Sequence, residues 1–414
     1  MVEIFAASFV LPLNSPPIEG GGLLVQDKKI IAVAPLNELK RSYSAPVNEF
    51  PGCVIMPGMV NAHTHLELTR YPYWRRAANM VDPSTSYSDW IQEIINVKRS
   101  ISLDDLEASL REGLSLSIAN GTTMVGDILS ERRLLPIYSI SPLSGRVYLE
   151  FIGRDPKRYG ANLESLERDI ALLSDNFLAG ISPHTPFTLS EKLFSLLREK
   201  GRGLSLPQSI HLAESLAEKE FFLDSSGAIA DTIFPFVGWN DYLPSPMKTT
   251  STTWLDENGW LSQSLLAVHA VHVTEDDIDH LHRNGTTVVI CARSNHALGV
   301  GMPPLGKLIS ANIPLAIGTD SMATVASLSM FDELSFLMDS FPLDLSPDMV
   351  LRMATYGGAQ AIKRDDCAGT LEAGKRADFI VVKVDGDLRG GKLAERIITS
   401  PDIEAVYVAG AIAT

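Results

Sequence analysis

The chain has 414 residues, and its 35 lysines and arginines against 50 aspartates and glutamates give a formal charge of −15. This balance argues against a nucleic acid or an anionic membrane as partner, because both require a basic surface. Three widely spaced cysteines, without a CxxC motif, argue against a zinc ribbon or a disulfide framework and are typical of a cytoplasmic protein.

Both ends of the chain have strand-like patterns. Residues 23–27 and 29–33 flank a tight turn, as in a β-hairpin, and residues 377–382 and 403–410 are predicted strands near the other end. The N-terminal segment lacks the basic region of a signal peptide, and no apolar stretch reaches the roughly 20 residues of a membrane span. We expect the two ends to build one small β-sandwich domain.

The middle of the chain alternates strand and helix signals. Eight apolar runs predict strands at residues 54–63, 122–126, 146–152, 178–183, 209–213, 265–270, 287–292 and 314–318. Amphipathic stretches between them predict helices at residues 163–173, 191–200, 275–284 and 305–311. Eight strands with intervening helices predict an α/β fold, a (β/α)8 barrel of the TIM type.

A doubly wound open sheet is the alternative, but no glycine-rich nucleotide loop opens its first helix. The predicted domains are residues 1–55 and 366–414 for the two parts of the β-sandwich and residues 56–365 for the catalytic barrel. Residues 240–253 are rich in proline, serine and threonine and are expected to form a long active-site loop.

The most informative motif closes the first predicted barrel strand. Residues 57–65 read Pro-Gly-Met-Val-Asn-Ala-His-Thr-His, so His63 and His65 flank a single threonine. Side chains alternate faces along a strand, and the two imidazoles therefore project to the same side. Two imidazoles at a strand end are half of a zinc site.

Further polar residues end later strands. His184 follows strand 4, His211 closes strand 5, His269 closes strand 6 and Asp320 follows strand 8. The functional residues of such barrels lie at the carboxyl ends of the strands. A structural role explains any one of these residues but not their convergence on one rim.

Taken together, these motifs resemble the amidohydrolase superfamily, in its mononuclear deaminase branch. The matching segments are residues 57–65, His211-Leu-Ala-Glu214, Gly318-Thr-Asp320 and Gly374-Lys-Arg-Ala-Asp-Phe379, and the similarity covers essentially the whole chain. The resemblance implies one divalent metal ion per chain, with zinc favoured and iron as the alternative, held by His63, His65, His211 and Asp320.

The resemblance also implies the chemistry. A metal-bound hydroxide attacks an electron-poor ring carbon and ammonia leaves. Asp320 takes a proton from the water, Glu214 protonates the ring nitrogen and the leaving group, and His269 polarises the substrate or orients the nucleophile. Strand 4 lacks the lysine that bridges two metals in the dinuclear branch, which favours a single ion.

Substrate choice rests on fewer residues. His184 and Ser321 are expected to contact the substrate, and Arg99 stands where adenosylhomocysteine deaminases carry a ribose-binding glutamate. A cation there suits a carboxylate, so an aminofutalosine-type deaminase of menaquinone biosynthesis is favoured. The alternatives are a methylthioadenosine/adenosylhomocysteine or guanine deaminase, a triazine-type chlorohydrolase, a cyclic-amide hydrolase and a catalytically silent binding protein.

Family analogy adds a homodimer. The remaining singled-out residues have plain interpretations: His272, His280 and His282 as structural, Cys291 as part of the core, and His296 as either pocket lining or surface.

Overall fold

A computed structural model describes residues 2–80, 86–384 and 392–414. Its strands are β1 (Val2–Val10), β2 (Ile18–Glu19), β3 (Gly21–Gln26), β4 (Lys29–Pro35), β5 (Val47–Pro57), β6 (Met59–Thr64), β7 (Thr122–Leu129), β8 (Ser144–Phe151), β9 (Phe177–Pro183), β10 (Gln208–Leu212), β11 (Leu265–His269), β12 (Thr287–Ile290), β13 (Leu315–Ile317), β14 (Phe379–Lys383), β15 (Asp402–Val408) and β16 (Ala411–Ile412).

Its α-helices are α1 (Leu36–Ser42), α2 (Tyr71–Ala77), α3 (Tyr87–Ser100), α4 (Leu103–Ala119), α5 (Leu135–Tyr138), α6 (Pro156–Ile170), α7 (Glu191–Gly203), α8 (Leu216–Asp224), α9 (Phe234–Val237), α10 (Ser251–Glu257), α11 (Glu275–Asn284), α12 (Ala292–Ala297), α13 (Leu305–Ser310), α14 (Met330–Ser340), α15 (Pro347–Arg352), α16 (Gly358–Ala361) and α17 (Leu393–Thr399). Short 3₁₀ turns occupy Leu66–Leu68, Arg132–Leu134 and Asn240–Tyr242, and π-helical turns occupy Ile229–Ile233 and Met353–Gly357.

The predicted barrel is confirmed. Strands β6 to β13 form one parallel sheet in sequence order, and a parallel bridge between Thr64 and Asp320 links its first and last strands. Alternate residues of each strand face inward or outward. In β8, for example, Tyr148 packs in the barrel interior, whereas Leu149 and Phe151 pack in the outer layer beneath the helices.

The predicted helices are present, with bounds set by their caps. Helix α11 has the predicted limits, because Thr274 and Asp277 form a capping box and Gly285 ends it with φ +63°. Helix α6 begins earlier than predicted, since the Asp155 side chain caps it and Pro156 fills its first position. In the described part of the chain, no helix combines the length and apolar composition that crossing a bilayer requires.

The terminal strands form a mixed sheet in the order β16-β15-β14-β5-β1-β3-β4, with β2 paired to β1. Strands β1 and β15 are separated by two strands, or about 14 Å in a flat sheet. The rings of Phe5 on β1 and Tyr407 on β15 nevertheless lie 4.8 Å apart between centroids. The sheet is therefore strongly curled around one apolar layer, which confirms a small sandwich-like domain built from both ends of the chain.

The single strand predicted over residues 54–63 is wrong in extent, because two strands of different sheets share this apolar run. Strand β5 pairs with β1 and β14 in the terminal sheet, and β6 pairs with β7 in the barrel. The break falls at Gly58, where an added Cβ atom would lie 2.1 Å from the Thr123 side chain. The predicted domain boundary after residue 55 thus falls inside β5.

Candidate active site

Five predicted residues converge at the carboxyl ends of the barrel strands. The Nε2 atoms of His63 and His65 lie 3.8 and 3.6 Å from Oδ1 of Asp320, and Nε2 of His65 lies 3.3 Å from Nε2 of His211. His269 joins the cluster, since potential ligand atoms of His63, His211 and His269 all lie within 4.8 Å of one another. Ring nitrogens and a carboxylate at these separations fit a single divalent metal ion.

His63 carries the strongest mark of a ligand. It is completely buried, and among the residues that the structure describes neither ring nitrogen has a hydrogen-bond partner. A buried polar atom without a partner costs about 1–3 kcal/mol, so such a side chain requires an explanation. Burial, reinforced by the neighbouring histidines, lowers the pKa of His63 well below its ordinary value. The neutral imidazole that results is the form that binds a metal.

The backbone at the site is held in unusual conformations. His269, Ala270 and Asp320 have φ of +76°, +50° and +59°, a region that residues other than glycine rarely occupy. Two hydrogen bonds to β6 hold Asp320. The Asp320 N–H donates to the His63 carbonyl at 3.1 Å, and the Thr64 hydroxyl donates to the Asp320 carbonyl at 2.9 Å. Such strain persists only where the surroundings impose it, and it is concentrated at functional sites.

The close packing of the first and last barrel strands requires a glycine at position 318, two residues before Asp320. A Cβ atom at Gly318 would lie 2.7 Å from the His63 carbonyl oxygen and 2.8 Å from the His63 Cβ. The close approach of β6 and the segment after β13 is what brings the first and last predicted ligands together.

Surrounding groups orient the site side chains. Nδ1 of His211 lies 2.9 Å from the His184 carbonyl oxygen, and Nδ1 of His269 lies 2.8 Å from Oδ1 of Asn295. The Ser294 hydroxyl donates to Oδ2 of Asp320 at 2.5 Å. These contacts leave Nε2 of both histidines facing the centre of the cluster. Hydrogen bonds to the other ring nitrogen orient the histidines of metal sites in the same way.

Glu214 has the environment of a proton shuttle. It is buried, its Oε1 lies 3.6 Å from Nε2 of His269, and its Oε2 accepts a hydrogen bond from the Tyr87 hydroxyl at 2.8 Å. Burial raises the pKa of Glu214 to about 7, although His211 and Tyr87 oppose the shift. A carboxyl group with this pKa can both give and take a proton near neutral pH.

A second glutamate, which the sequence analysis missed, fixes the backbone that carries Glu214. Glu218 is buried, and its carboxylate accepts the N–H groups of Ala213 at 2.9 Å and Glu214 at 3.3 Å. Ser215 is the N-cap residue of α8, and its side chain accepts the N–H of Glu218. The Ser-x-x-Glu pattern resembles an ordinary capping box, yet the carboxylate of this glutamate accepts the N–H groups of Ala213 and Glu214 rather than that of the capping residue.

The predicted substrate-binding residues have different positions. His184 is inside the cluster: its ring lies 5.0 Å from the His211 ring, and its Nδ1 lies 3.2 Å from the Thr188 hydroxyl. Ser321 is buried beside Asp320, and its hydroxyl accepts the Ala323 N–H at 3.3 Å.

Arg99 is not brought into the histidine cluster. It is exposed on α3, with its guanidinium 5.3 Å from the centroid of the Phe236 ring. The preceding residue, Lys98, instead faces the barrel rim and donates to Glu67 and Ser130 at 2.7 Å each. The role predicted for Arg99 in substrate binding stays a prediction.

The other histidines lie outside the cluster. His296 is exposed, with its ring 5.3 Å from the Phe336 ring, while its neighbours in sequence, Ser294 and Asn295, orient the site. Nε2 of His272 lies 2.8 Å from the Val300 carbonyl oxygen, and His280 pairs with Asp256. Of the two interpretations left open for His296, the structure agrees with the surface position, whereas Ser294 and Asn295 contact Asp320 and His269.

The long loop predicted at residues 240–253 is partly regular. It contains the 3₁₀ turn at Asn240–Tyr242 and the first turn of α10, with an irregular segment between them. The Tyr242 carbonyl accepts a hydrogen bond from Nε of Arg154 at 3.1 Å, and the Met247 N–H donates to the Phe222 carbonyl at 3.2 Å. The loop is thus tied to the barrel at both of these residues.

A parallel eight-stranded barrel with three histidines and an aspartate converging at its carboxyl rim, beside a buried glutamate, is the architecture of a metal-dependent hydrolase. Residues 54–413 match the model of the amidohydrolase family, and the chain belongs to that family. This confirms the prediction from the sequence motifs.

Similar proteins agree with this assignment. The chain is 32% identical over 353 residues to an aminodeoxyfutalosine deaminase of Deinococcus radiodurans, covering 83% of this chain and 81% of that one. It is 26% identical over 389 residues to a 5-methylthioadenosine/S-adenosylhomocysteine deaminase of Desulforudis audaxviator, covering 91% and 84%. The predicted enzyme class, a hydrolase of carbon–nitrogen bonds other than peptide bonds, is confirmed.

A solved structure shares the fold. The zinc-bound adenosine deaminase of Xanthomonas campestris superposes with a TM-score of 0.82 at 24% identity, covering 99% of this chain and 92% of that one. At this identity the likeness establishes the architecture of the barrel and terminal sheet.

Proposed function

We propose that this protein is a metal-dependent hydrolytic deaminase of an adenine-type nucleoside, with aminodeoxyfutalosine as the favoured substrate. The observation that carries the proposal is the pairing of a buried Glu214, with a pKa of about 7, against His269 at the edge of the His/Asp cluster. The relative from Deinococcus radiodurans supports the choice of substrate.

The ion is proposed to be a single zinc, held by His63, His65, His211 and Asp320. When bound, zinc lowers the pKa of a coordinated water to about 7. Strand β9 contains no lysine that could bridge a second ion. The zinc-bound adenosine deaminase with the same fold supports this choice of metal over iron.

The reaction replaces the exocyclic amino group by oxygen, with water as the second reactant and ammonia as the second product. Asp320 accepts a proton from the attacking water. Glu214 protonates the ring nitrogen, which makes the adjacent carbon more electrophilic; its carboxylate then takes the hydroxyl proton of the tetrahedral adduct and passes it to the departing amine, and the proton held by Asp320 returns to Glu214. Its buried position keeps this proton out of exchange with bulk solvent.

His269 and His184 are proposed to hold the substrate. Asn295 engages Nδ1 of His269, so its Nε2 remains available toward the substrate. The pKa of both histidines is lowered by burial, and both are therefore neutral hydrogen-bonding groups at pH 7. The cytoplasmic location and the homodimer stay predictions.

Ammonia release by metal-loaded protein tests the proposal. The panel contains aminodeoxyfutalosine, 5′-methylthioadenosine, S-adenosylhomocysteine, adenosine, guanine and a chlorinated triazine, the last read as chloride release. We expect ammonia from the adenine nucleosides, with the highest kcat/KM for aminodeoxyfutalosine. Activity confined to guanine or to the triazine, or no activity on any member of the panel, would contradict the proposal.

A second candidate is deamination of 5′-methylthioadenosine or S-adenosylhomocysteine, favoured by the relative from Desulforudis audaxviator. The two candidates share their chemistry and differ in the substituent on the sugar. Relative kcat/KM values within the same panel discriminate between them.

A further inference from the structure

An unpaired carboxyl group faces the mouth of the barrel, apart from the proposed catalytic residues. Glu150 is the penultimate residue of β8 and only 8% exposed. It lies two residues beyond Tyr148, whose ring packs inside the barrel, whereas Leu149 and Phe151 pack outside. Strand alternation therefore directs Glu150 inward at the carboxyl rim.

This carboxyl group receives no hydrogen bond from any residue that the structure describes. The ammonium of Lys98, whose charge acts on it, is instead bonded to Glu67 and Ser130. Burial raises the pKa of Glu150 to about 7, against the influence of Lys98. Leaving a carboxyl group buried without a partner is unfavourable for folding. Folding alone therefore does not account for the Glu150 carboxyl group at this position, and a bound ligand would give it a partner.

A second unpaired polar group lies beside it. In the β8–β9 register Glu150 is opposite Ser182, whose buried hydroxyl has no hydrogen-bond partner within the described ranges of the chain. Ile181 packs in the outer layer, so Ser182 also faces inward. His184 follows two residues later and contacts the His211 ring. The pair thus lies on the inner wall next to the proposed substrate-binding histidine.

The distance from Glu150 and Ser182 to the His/Asp cluster suits a substrate that reaches from the cluster to β8. Two strand spacings, about 10 Å, separate β8 from β10, which carries His211. A nucleoside whose ring lies against His211 and His184 would present its sugar to Glu150 and Ser182.

The charges favour hydroxyl groups over ions at this position. The ammonium of Lys98 is already paired with Glu67, so a substrate carboxylate would meet mainly the repulsion of Glu150. A cationic group would meet Lys98. Two hydroxyl groups, by contrast, can donate to the acceptor oxygens of Glu150 and accept from the Ser182 hydroxyl.

We propose that Glu150 and Ser182 form a subsite for the sugar diol of the substrate. This inference rests on the proposed function and gives the sugar a partner on β8 and β9, because Arg99 stands where adenosylhomocysteine deaminases carry their ribose-binding glutamate. The subsite would make a ribosyl group preferable to a dideoxyribosyl group, and this preference should depend on the Glu150 carboxylate.

The test compares adenosine with 2′,3′-dideoxyadenosine on the metal-loaded protein. We expect Glu150→Gln to lower kcat/KM for adenosine by about 10- to 100-fold, mainly through KM. The loss for the dideoxy substrate should stay below about threefold, because that substrate offers no diol. Ser182→Ala should act in the same direction with a smaller effect. The matched control is Glu167→Gln, an exposed glutamate on α6 that pairs with Lys200, and it should change neither rate.

A binding measurement removes the dependence on turnover. Inosine, which keeps the diol, should raise the melting temperature of the wild-type protein more than 2′,3′-dideoxyinosine does, and Glu150→Gln should abolish the difference. Equal losses of kcat/KM for both nucleosides would overturn the subsite alone. Turnover of neither nucleoside by the wild-type protein, with activity on another ring, would overturn the proposed function and this inference with it.

Discussion

Replacing Glu218 by glutamine tests whether catalysis depends on the backbone that carries Glu214. The Glu218 carboxylate accepts two backbone N–H groups, from Ala213 and Glu214, and is also hydrogen-bonded to the Ser251 side chain. Ala213 has φ +51°, a conformation that these bonds help to hold. Glutamine offers one acceptor oxygen and turns an amide NH2 toward the remaining donors.

The magnitude follows from this exchange. Loss of one hydrogen bond to a charged acceptor costs about 1.5–3 kcal/mol. If that energy is lost from the transition state, kcat/KM falls by about 10- to 100-fold, since 1.4 kcal/mol corresponds to a factor of ten. We expect the loss mainly in kcat, because Glu218 is bonded to the loop that carries the proposed proton shuttle, Glu214, and not to the predicted metal ligands.

Steady-state kinetics, metal analysis and thermal denaturation together provide the assay. Burial raises the pKa of Glu218 to about 7, so the side chain is mainly ionised at pH 8 and mainly protonated at pH 6. The ratio of wild-type kcat to variant kcat should therefore be smaller at pH 6 than at pH 8. Glu220→Gln, an exposed neighbour on α8, is the control. A kcat within twofold of wild type at pH 8, or a parallel loss of metal and fold, would refute the reasoning.

The remaining predictions concern the metal, the shuttle and the substrate end. Glu214→Gln should keep the metal and lose turnover by about 10²–10⁴-fold, since an amide cannot transfer the proton; near-normal turnover would contradict the role. Tyr87→Phe removes a hydrogen bond that lowers the pKa of Glu214, so the corresponding limb of the kcat/KM profile should move to higher pH. His211→Ala should lose metal and activity together, and elemental analysis of the wild type should give one ion per chain rather than two. Arg99→Ala should lower kcat/KM for a carboxylate-bearing nucleoside by an amount equivalent to about 1.5–3 kcal/mol and should change it little for a nucleoside without the carboxylate. Equal losses for both nucleosides would contradict a role of Arg99 in substrate binding.

The sequence was sufficient for the parts of the site that local pattern encodes. Alternation along a strand placed His63 and His65 on one side, and apolar runs ending in His211 and His269 identified the strand ends. Once eight strands with intervening helices predict a barrel, its geometry brings these ends together. The cluster was therefore predictable without any knowledge of distances.

Residues that act through tertiary contacts carried no such signal. Tyr87 lies on α3, far in sequence from the Glu214 carboxylate that it contacts. Ser294 and Asn295 lie on α12 next to His296, the residue of this helix that the sequence singled out. Glu218 was concealed by a pattern that usually caps a helix. In each case the partner is determined by packing between elements, which spacing along the chain does not encode.

The boundary between the two sheets was missed for a related reason. Buried strands are apolar on both faces, so β5 and β6 read as one run, and hydrophobicity cannot show which sheet each half joins. Their different strand partners and the close approach of Gly58 to Thr123 between them are tertiary features, which hydrophobicity does not encode.

The position of β5 also has a consequence for protein synthesis. Its two neighbours in the terminal sheet are far apart in sequence: β1 is made before it, and β14 is made only after all eight barrel strands. Until then one edge of β5 has no partner, and an open edge is a template for aggregation. Since β5 leads directly into β6, which carries His63, we expect chains that stop before β14 to be cleared as unfinished products rather than to accumulate as metal-binding fragments.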